Sequence, residues 1–538
     1  MPAAPRDLLA LRLGSSGLIE VALPFDPVTQ AQLRAVRPRG HWNSSRRCWE
    51  FPPTAALALQ TLLNGRFPVS AELAEWLAWM QQPLPPLPPH RELVAAAAPA
   101  EPLPDGRSLF AHQRAAVRWL LARRGAVLAD AMGLGKTLTA LVAARGLVRL
   151  AECRVVVIAP VGLHQHWRQE AMSLGLRLEL HSWARLPAAL PEAGTVLLAD
   201  EAHFAQNREA QRTRAFLKLA RHPRLRAVWL LSGTPMKNGR PVQLLPLLEA
   251  IGHPIAADRR AFEERFCQGH WRERAGRRVW QASGASQLDE LQRLLRPLLL
   301  HRRKEQCLDL PPKQRRLHPV RLSAAAAERF DGRLQRCVEA YRVRAARGEV
   351  RREAELLAVL TALRRIASRS KVPAASLLVE ELLRSDGAVV VFTAFRATAR
   401  LLQRLHGGEE RVALLCGSVP PARRQALVDR FQAGACPLLI ATYGTGGLGF
   451  TLHRARHVVL LERPWTPGDA EQAEDRCHRI GMRSMLTCHW LQLGVADQLV
   501  DGLIASKQEM ISLVLQSRRE QFRRASLPVL VRELLDRW

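Results

Sequence analysis

LADAMGLGKTLTA, Leu128 to Ala140, is the stretch from which the fold of this 538-residue chain is read. A short apolar run, Ala126–Leu128, leads into Asp130-Ala131-Met132-Gly133-Leu134-Gly135-Lys136-Thr137, and a helical pattern follows. Strand, glycine-containing loop, then Lys-Thr opening a helix is the context of a phosphate cradle. Backbone amides and the helix N-terminus hold phosphate oxygens in such a loop. On this reading Asp130, Met132, Gly133, Leu134 and Gly135 wrap a nucleotide. Lys136 neutralises its β and γ oxygens, and Thr137 offers a hydroxyl to Mg²⁺. The strict pattern has glycine at position 130, where this chain has aspartate.

A second motif lies downstream. In VLLADEAH, Val196 to His203, an apolar strand ends in Asp200-Glu201. A carboxylate at the end of a neighbouring strand can hold the hydration shell of Mg²⁺, and one beside it can orient the attacking water. Asp200 takes the first role and Glu201 the second. Outward from these two motifs, β-branched runs alternate with amphipathic stretches. They are Val155–Ile158 and Val228–Leu231 in the first half, then Val389–Phe392, Val412–Leu415, Leu438–Ala441 and Val458–Leu461 in the second. Such alternation predicts parallel sheets flanked by helices. Between Asn238 and Val372 the pattern is Arg- and Leu-rich and helical, so two α/β halves with helical insertions are expected.

The remaining motifs resemble those of helicase superfamily two, and within it the Swi/Snf-type DNA translocase ATPases. Gln113, in LFAHQRAAVRWL, resembles the family's adenine-side glutamine. VVVIAPVGLHQHWRQE resembles a loop that faces nucleic acid, with His164 in it. LSGTPMKN resembles the motif in which Ser232 and Thr234 couple the nucleotide state to the other lobe. LRPLLLHRRKEQCLDLPPK, Leu295 to Lys313, resembles the family's crossover between lobes. In the second half VVVFTAFRATARLL and ATYGTGGLGFTLHRARHVVLLERPWTP resemble further motifs, which implies Thr393 and Thr442 as DNA contacts and Gly447 at the nucleotide. QAEDRCHRIGM resembles the arginine-finger motif: Gln472 is placed at the nucleotide, Arg479 as the finger and Arg476 as its support. Arg476 and Arg479 are three positions apart, which puts them on one face of a helix. The family motif usually ends Gly-Gln, where this chain has Gly481-Met482.

The resemblance implies an α/β fold of two RecA-like parallel-sheet lobes with helical insertions, DNA-stimulated ATP hydrolysis with Mg²⁺, and movement along duplex or branched DNA. An RNA-dependent ATPase and a catalytically silent DNA-binding scaffold are the alternatives. GHWNSSRRCWEFP, Gly40 to Pro52, resembles the HARP module of motors that reanneal forked DNA. Trp42, Arg46, Arg47 and Trp49 are its candidate DNA contacts, by stacking and phosphate pairing. The expected division is a small N-terminal α+β module over 1–81, a Pro-rich linker over 82–104 and a first lobe over 105–318 with an insertion at about 238–300. A helical insertion at 319–372, a second lobe over 373–512 and a C-terminal helical extension over 513–538 complete it.

Bulk composition agrees. The 79 basic residues exceed the 49 acidic ones, giving a formal charge of +30. That surplus suits a polyanionic partner, and duplex, forked or single-stranded DNA is the expected one. The nine cysteines lack the close pairing of a zinc site, and free thiols are expected. No apolar run is long enough to span a bilayer, no signal-peptide layout opens the chain, and an association with the nucleoid in a bacterial cytoplasm is expected.

Overall fold

Strands that are apolar on both faces cannot face water on either side, and such strands pair in parallel under helices. The computed structural model shows this twice. It describes residues 11–77 and 102–515 apart from short stretches within them, the longest being 348–353. Most of the expected linker, and the C-terminal extension beyond Leu515, lie outside the described residues. The chain divides into two compact units, Met1–Cys307 with Met510–Arg519, and Leu308–Glu509 with Glu520–Trp538.

The first unit begins with a four-stranded antiparallel sheet, ordered β1-β2-β4-β3, made of β1 (Leu11–Leu13), β2 (Ile19–Val21), β3 (His41–Asn43) and β4 (Cys48–Phe51). Helices Pro27–Ala35 and Ala56–Leu63 accompany it, and Ile19, Leu33, Phe51 and Leu59 form its core. This is the small α+β module.

The main sheet of that unit is built from β5 (Gly125–Leu128), β6 (Val155–Ile158), β7 (Glu179–His181), β8 (Thr195–Asp200) and β9 (Leu225–Leu231). Between β9 and the last strand the insertion folds as short helices around a hairpin, β10 (His270–Arg274) and β11 (Arg277–Gln281). The last strand, β12 (Leu299–Leu300), closes the edge. The order is β12-β5-β9-β8-β6-β7, and every pairing in it is parallel. The expectation for the insertion is helical, so the hairpin is new. Its Arg-rich strands lack the apolar alternation by which a strand is recognised.

The second unit holds another all-parallel six-stranded sheet, ordered β13-β18-β17-β14-β16-β15. Its strands are β13 (Lys313–Pro319), β14 (Val389–Thr393), β15 (Val412–Leu415), β16 (Leu438–Thr442), β17 (His457–Leu460) and β18 (Leu486–Gln492). Helices Ala324–Ala346 and Ala354–Asp386 fill the expected helical insertion. Strand β13 is hydrogen-bonded along β18 from Lys313↔Leu486 to Pro319↔Gln492. The boundary therefore falls at Cys307/Leu308, earlier than residue 318.

Deep in the second unit, Lys371 is fully buried and its Nζ donates to Asp497 Oδ2 at 2.8 Å. The same oxygen accepts from the Leu493 amide at 2.7 Å. Removing one partner of a buried pair strands a charge and costs about 3–5 kcal/mol, whereas replacing both can be neutral. Lys371→Met and Asp497→Asn alone should each lower unfolding stability in urea by about that much, and the double variant should recover most of it. Single variants within about 1 kcal/mol of the parent would show that the pair is not a stabilising contact.

Candidate nucleotide site

Strand β5 is buried from Ala126 to Leu128, and the chain leaves it as a loop that opens the helix Lys136–Leu150. A parallel ladder continues past the strand: Val127, Ala129 and Ala131 amides donate to the Leu298, Leu300 and Arg302 carbonyls at 2.7–2.9 Å. Gly133 and Gly135 sit at φ +85° and +76°. A Cβ on Gly135 would lie 2.2 Å from Gln113 Nε2, so the loop needs glycine there. Lys136 Nζ donates to the Asp130 and Ala131 carbonyls at 2.7 and 3.3 Å, which curls the loop around its own ammonium. Thr137 lies in the first helical turn.

Asp130 needs correction. The residue is 2% exposed and its side chain faces Arg302, whose Nε donates to Oδ1 at 2.9 Å and whose Nη2 pairs with Oδ2. Arg302 Nη1 also donates to the His112 carbonyl at 2.7 Å. The aspartate that stands for glycine thus braces the loop from behind, and only its backbone carbonyl turns toward Lys136. Gln113 is likewise engaged: its Oε1 accepts from the Phe110 amide at 3.0 Å and its Nε2 donates to the Leu134 carbonyl at 3.3 Å. Sequence reading missed Arg302, although the unusual Asp130 and the Arg302-Arg303 pair in the crossover block are its signal.

The carboxylates stand at the end of β8, all of whose residues are buried: Asp200 is its last residue and Glu201 follows it. Asp200 is 6% exposed; its Oδ2 accepts from Trp167 Nε1 at 2.9 Å, and its Oδ1 accepts from the Glu201 amide at 2.9 Å. Burial, and then the neighbouring Glu201 charge, push its carboxyl up to about 6, against the pull of Lys136. Glu201 has φ +50°, a left-handed conformation that costs a non-glycine residue energy and recurs at functional sites. His203 Nδ1 stands 3.2 Å from Glu201 Oε2.

After β9, Ser232 is fully buried and its Oγ accepts from the Thr234 amide at 3.2 Å. Gln206 Nε2, just past the carboxylate pair, donates to the Thr234 and Pro235 carbonyls at 3.2 and 2.6 Å. A Cβ on Gly233 would lie 2.8 Å from Met132 Cγ and 3.5 Å from Lys136 Nζ. The loops after β5, β8 and β9 thus meet at one end of the sheet, the carboxyl end, where open α/β sheets take ligands. A triphosphate with Mg²⁺ fits the donors found there: amides at the start of a helix, one ammonium, one hydroxyl and a carboxylate whose burial favours a nearby cation.

In the second unit, Gln472 lies on the helix Pro467–Glu474, which Thr466 caps by accepting from the Asp469 amide. That helix ends before Arg476 and Arg479, so the two arginines occupy turns and not a shared helical face. Arg476 is 2% exposed and its carbonyl accepts from the Leu452 amide. Arg479 Nη1 donates to Thr451 Oγ1 at 3.0 Å and its Nε to the Asp475 carbonyl at 3.1 Å. Lys313 lies 3.3 Å from Glu474 and 3.2 Å from Asp475, and Arg315 lies 2.8 Å from Glu474. Met482 is buried in the core, so the departure from glutamine exchanges a polar contact for packing. Gly447 lies outside the described residues.

Several expected DNA contacts point inward. Thr393 is fully buried, and its hydroxyl donates to Glu462 Oε2 at 2.9 Å, because that buried carboxylate needs donors. Thr442 pairs with Thr445 at 2.8 Å. The His164 ring lies 3.1 Å from the Ala159 carbonyl and closes its own loop. In the N-terminal sheet, Trp49 donates to Gln30 at 2.8 Å and Arg46 pairs with Glu20, so both brace the module. Trp42, 49% exposed, and Arg47, also exposed, face outward.

Comparison with known proteins agrees with this architecture. Residues 112–175 and 191–372 match the SNF2-related domain, and residues 374–481 match the helicase conserved C-terminal domain. The DNA annealing helicase and endonuclease ZRANB3 of Mus musculus is 28% identical over 460 residues, covering 78% of this chain and 42% of that protein. YwqA of Bacillus subtilis (strain 168) is 27% identical over 494 residues, covering 79% of this chain and 52% of that protein. The chain thus spans about half the length of the curated relatives it matches. Among solved structures, the Sulfolobus solfataricus SWI2/SNF2 ATPase core in complex with dsDNA aligns with TM-score 0.36 and 19% identity over 78% of this chain and 99% of that one. With the two domains following one another along its length, the chain belongs to the SNF2-related family of helicase-like ATPases.

Proposed function

We propose that this chain is an ATP-driven translocase on duplex or branched DNA, remodelling or reannealing it or displacing bound proteins, with hydrolysis stimulated by DNA. The observation that supports this most is the meeting of the phosphate loop, the Asp200-Glu201 pair and the Ser232–Thr234 loop at one end of one parallel sheet. The formal charge of +30 suits a phosphate backbone. Similarity to a DNA annealing helicase favours DNA over RNA, and similarity to YwqA favours a bacterial cytoplasm, beside the nucleoid.

The residue roles follow from the donors. Lys136 releases the Asp130 and Ala131 carbonyls and takes phosphate oxygens instead. Thr137 and Asp200 hold Mg²⁺, Asp200 through water. Bound Mg²⁺ neutralises charge on the β and γ oxygens. Glu201 orients the attacking water. Gln113, Met132, Gly133, Leu134 and Gly135 shape the loop around ATP, with Gly447 and Gln472 as further contacts. Arg479, supported by Arg476, supplies a planar cation to the charge that spreads over the transferred phosphoryl group. Ser232 and Thr234 sense that state through Gln206. Trp42 and Arg47 of the HARP-like module offer DNA an aromatic face and a cation.

Lys136→Ala and Glu201→Gln should each cut steady-state turnover by at least about a hundredfold while DNA binding stays within about twofold. Full activity in either purified variant would sink the assignment. Wild-type hydrolysis should rise most with forked or duplex DNA, and a triplex-displacement assay should report movement without release of a strand from a long blunt duplex. Stimulation by RNA alone would favour an RNA-dependent ATPase, and no hydrolysis with any nucleic acid would favour a silent scaffold.

The raised Asp200 carboxyl also sets a pH dependence. Its pKa moves from 3.8 to about 6 on folding, so its stabilising contribution is full below about pH 4 and is lost as pH rises through about 6. Asp200→Asn removes that loss. Without nucleotide, the variant should melt roughly 2–5 °C above the parent at pH 7.5, with the gap closing toward pH 4, while turnover is abolished. An unchanged or lower melting temperature at pH 7.5 would show that Asp200 carries no burial penalty.

A further inference from the structure

The hairpin of the insertion takes no part in the nucleotide site, yet it is built with care. Trp271 and Trp280 are direct cross-strand partners, their ring centroids 5.5 Å apart at 74°. Trp280 is anchored: its Nε1 donates to Glu263 Oε2 at 2.6 Å, and the Arg260 guanidinium lies 3.7 Å from its ring centroid. Arg260 also lies 4.6 Å from the centroid of Trp271. The hairpin is thus clamped to the helix Arg259–Phe266 through both indoles.

A structural staple accounts for Trp280, which is half-buried with its N–H satisfied. It does not account for the open part of Trp271, which is 53% exposed, or for Val279 on the opposite face of the hairpin, 49% exposed. Residues 270–281 carry four arginines against one glutamate, and Arg272, Arg277 and Arg278 are exposed. The inner side of the hairpin borders a groove of about 530 Å³, which Trp280, Arg259 and Arg260 line together with His41 of the N-terminal sheet and Leu18 just before β2. A rigid indole set among guanidinium groups offers a base a stacking surface and its flanking phosphates cations. A closed duplex has no free base face to stack there, so the complementary ligand is unpaired.

We propose that this hairpin is a binding element for single-stranded DNA: one base stacks on the open part of Trp271, Arg278 on the same face of the hairpin takes a neighbouring phosphate, and Arg272 and Arg277 take phosphates from the opposite face, where the strand rounds the edge of the hairpin. This rests on the DNA reading above and names the part of a branched substrate that the insertion holds.

The test is fluorescence anisotropy with the full chain, without ATP, on a labelled single strand, the matching duplex and a fork with single-stranded arms. Trp271→Ala should weaken single-strand and fork binding by about tenfold and duplex binding by less than about twofold, and Trp271→Phe should retain most of the affinity. Replacing Arg272, Arg277 and Arg278 together by Gln should lower the slope of log affinity against log salt on the single strand by about 2, at about 0.7 per phosphate. Unchanged single-strand affinity in Trp271→Ala overturns the proposal. So does an equal loss on duplex, a wild type that binds only duplex, or tighter binding of single-stranded RNA than of DNA. Wild-type ATPase measured alongside keeps the two readings apart. Absence of stimulation by any DNA refutes the translocase, while the hairpin stands or falls on binding alone.

Discussion

The contact between Arg302 and Asp130 sets the shape of the phosphate loop. A buried guanidinium is tolerated only where its fork of donors is met, and here two carboxylate oxygens and the His112 carbonyl meet it. The same segment supplies the Leu298, Leu300 and Arg302 carbonyls that hold the backbone of residues 127–131. Glycine at position 130 would leave that guanidinium unpaired, and aspartate without Arg302 would leave a buried anion. The two residues, 172 positions apart, therefore only make sense as a pair.

The other acid in that unit is handled in the opposite way. Asp200 receives two N–H donors and feels the Lys136 charge, but burial outweighs these and makes its negative charge costly. One carboxylate is satisfied at home and the other is left in need. That difference separates a strut from a site, and it is why the geometry favours Asp200 over Asp130 for a ligand-facing role. The second unit repeats the first solution, with Lys313 and Arg315 placed against buried Glu474 and Asp475 beside the turn that carries Arg476 and Arg479.

How much of this the sequence disclosed depended on how each strand is buried. Strands β5, β6, β8, β14, β15 and β16 are apolar on both faces and were found within one or two residues, with the phosphate loop and the carboxylate pair at their ends. Strand β13, KQRRLHP, sits at the edge of its sheet with few apolar residues, so it gave no signal and the unit boundary was misplaced. The hairpin failed for the same reason. Arg476 and Arg479 have helical spacing, but the helix ends at Glu474, and spacing alone cannot show where a helix stops. The direction in which Thr393 and Asp130 turn was also beyond reach, since the hydroxyl and the carboxylate are each aimed by a partner remote in sequence.

Strand β18, LTCHWLQ, shows how a central strand can bury polar residues and so escape detection. His489 is 3% exposed and lies between His318 of β13 and His457 of β17, with ring nitrogens 2.9 and 3.0 Å apart. The far nitrogen of His457 lies 2.6 Å from Asp386 Oδ2. One arrangement of ring hydrogens satisfies this row. Each Nε2–H donates onward, His318 to His489, His489 to His457, and His457 to the carboxylate. Burial, and then the two flanking rings, push His489 down to about 3, which keeps it neutral at physiological pH. A cation at His489 would turn an acceptor in the row into a second donor, and the ladder of polar side chains linking three adjacent strands would break at its middle. The polar residues that hid this strand in the sequence are thus the ones that join it to both of its neighbours.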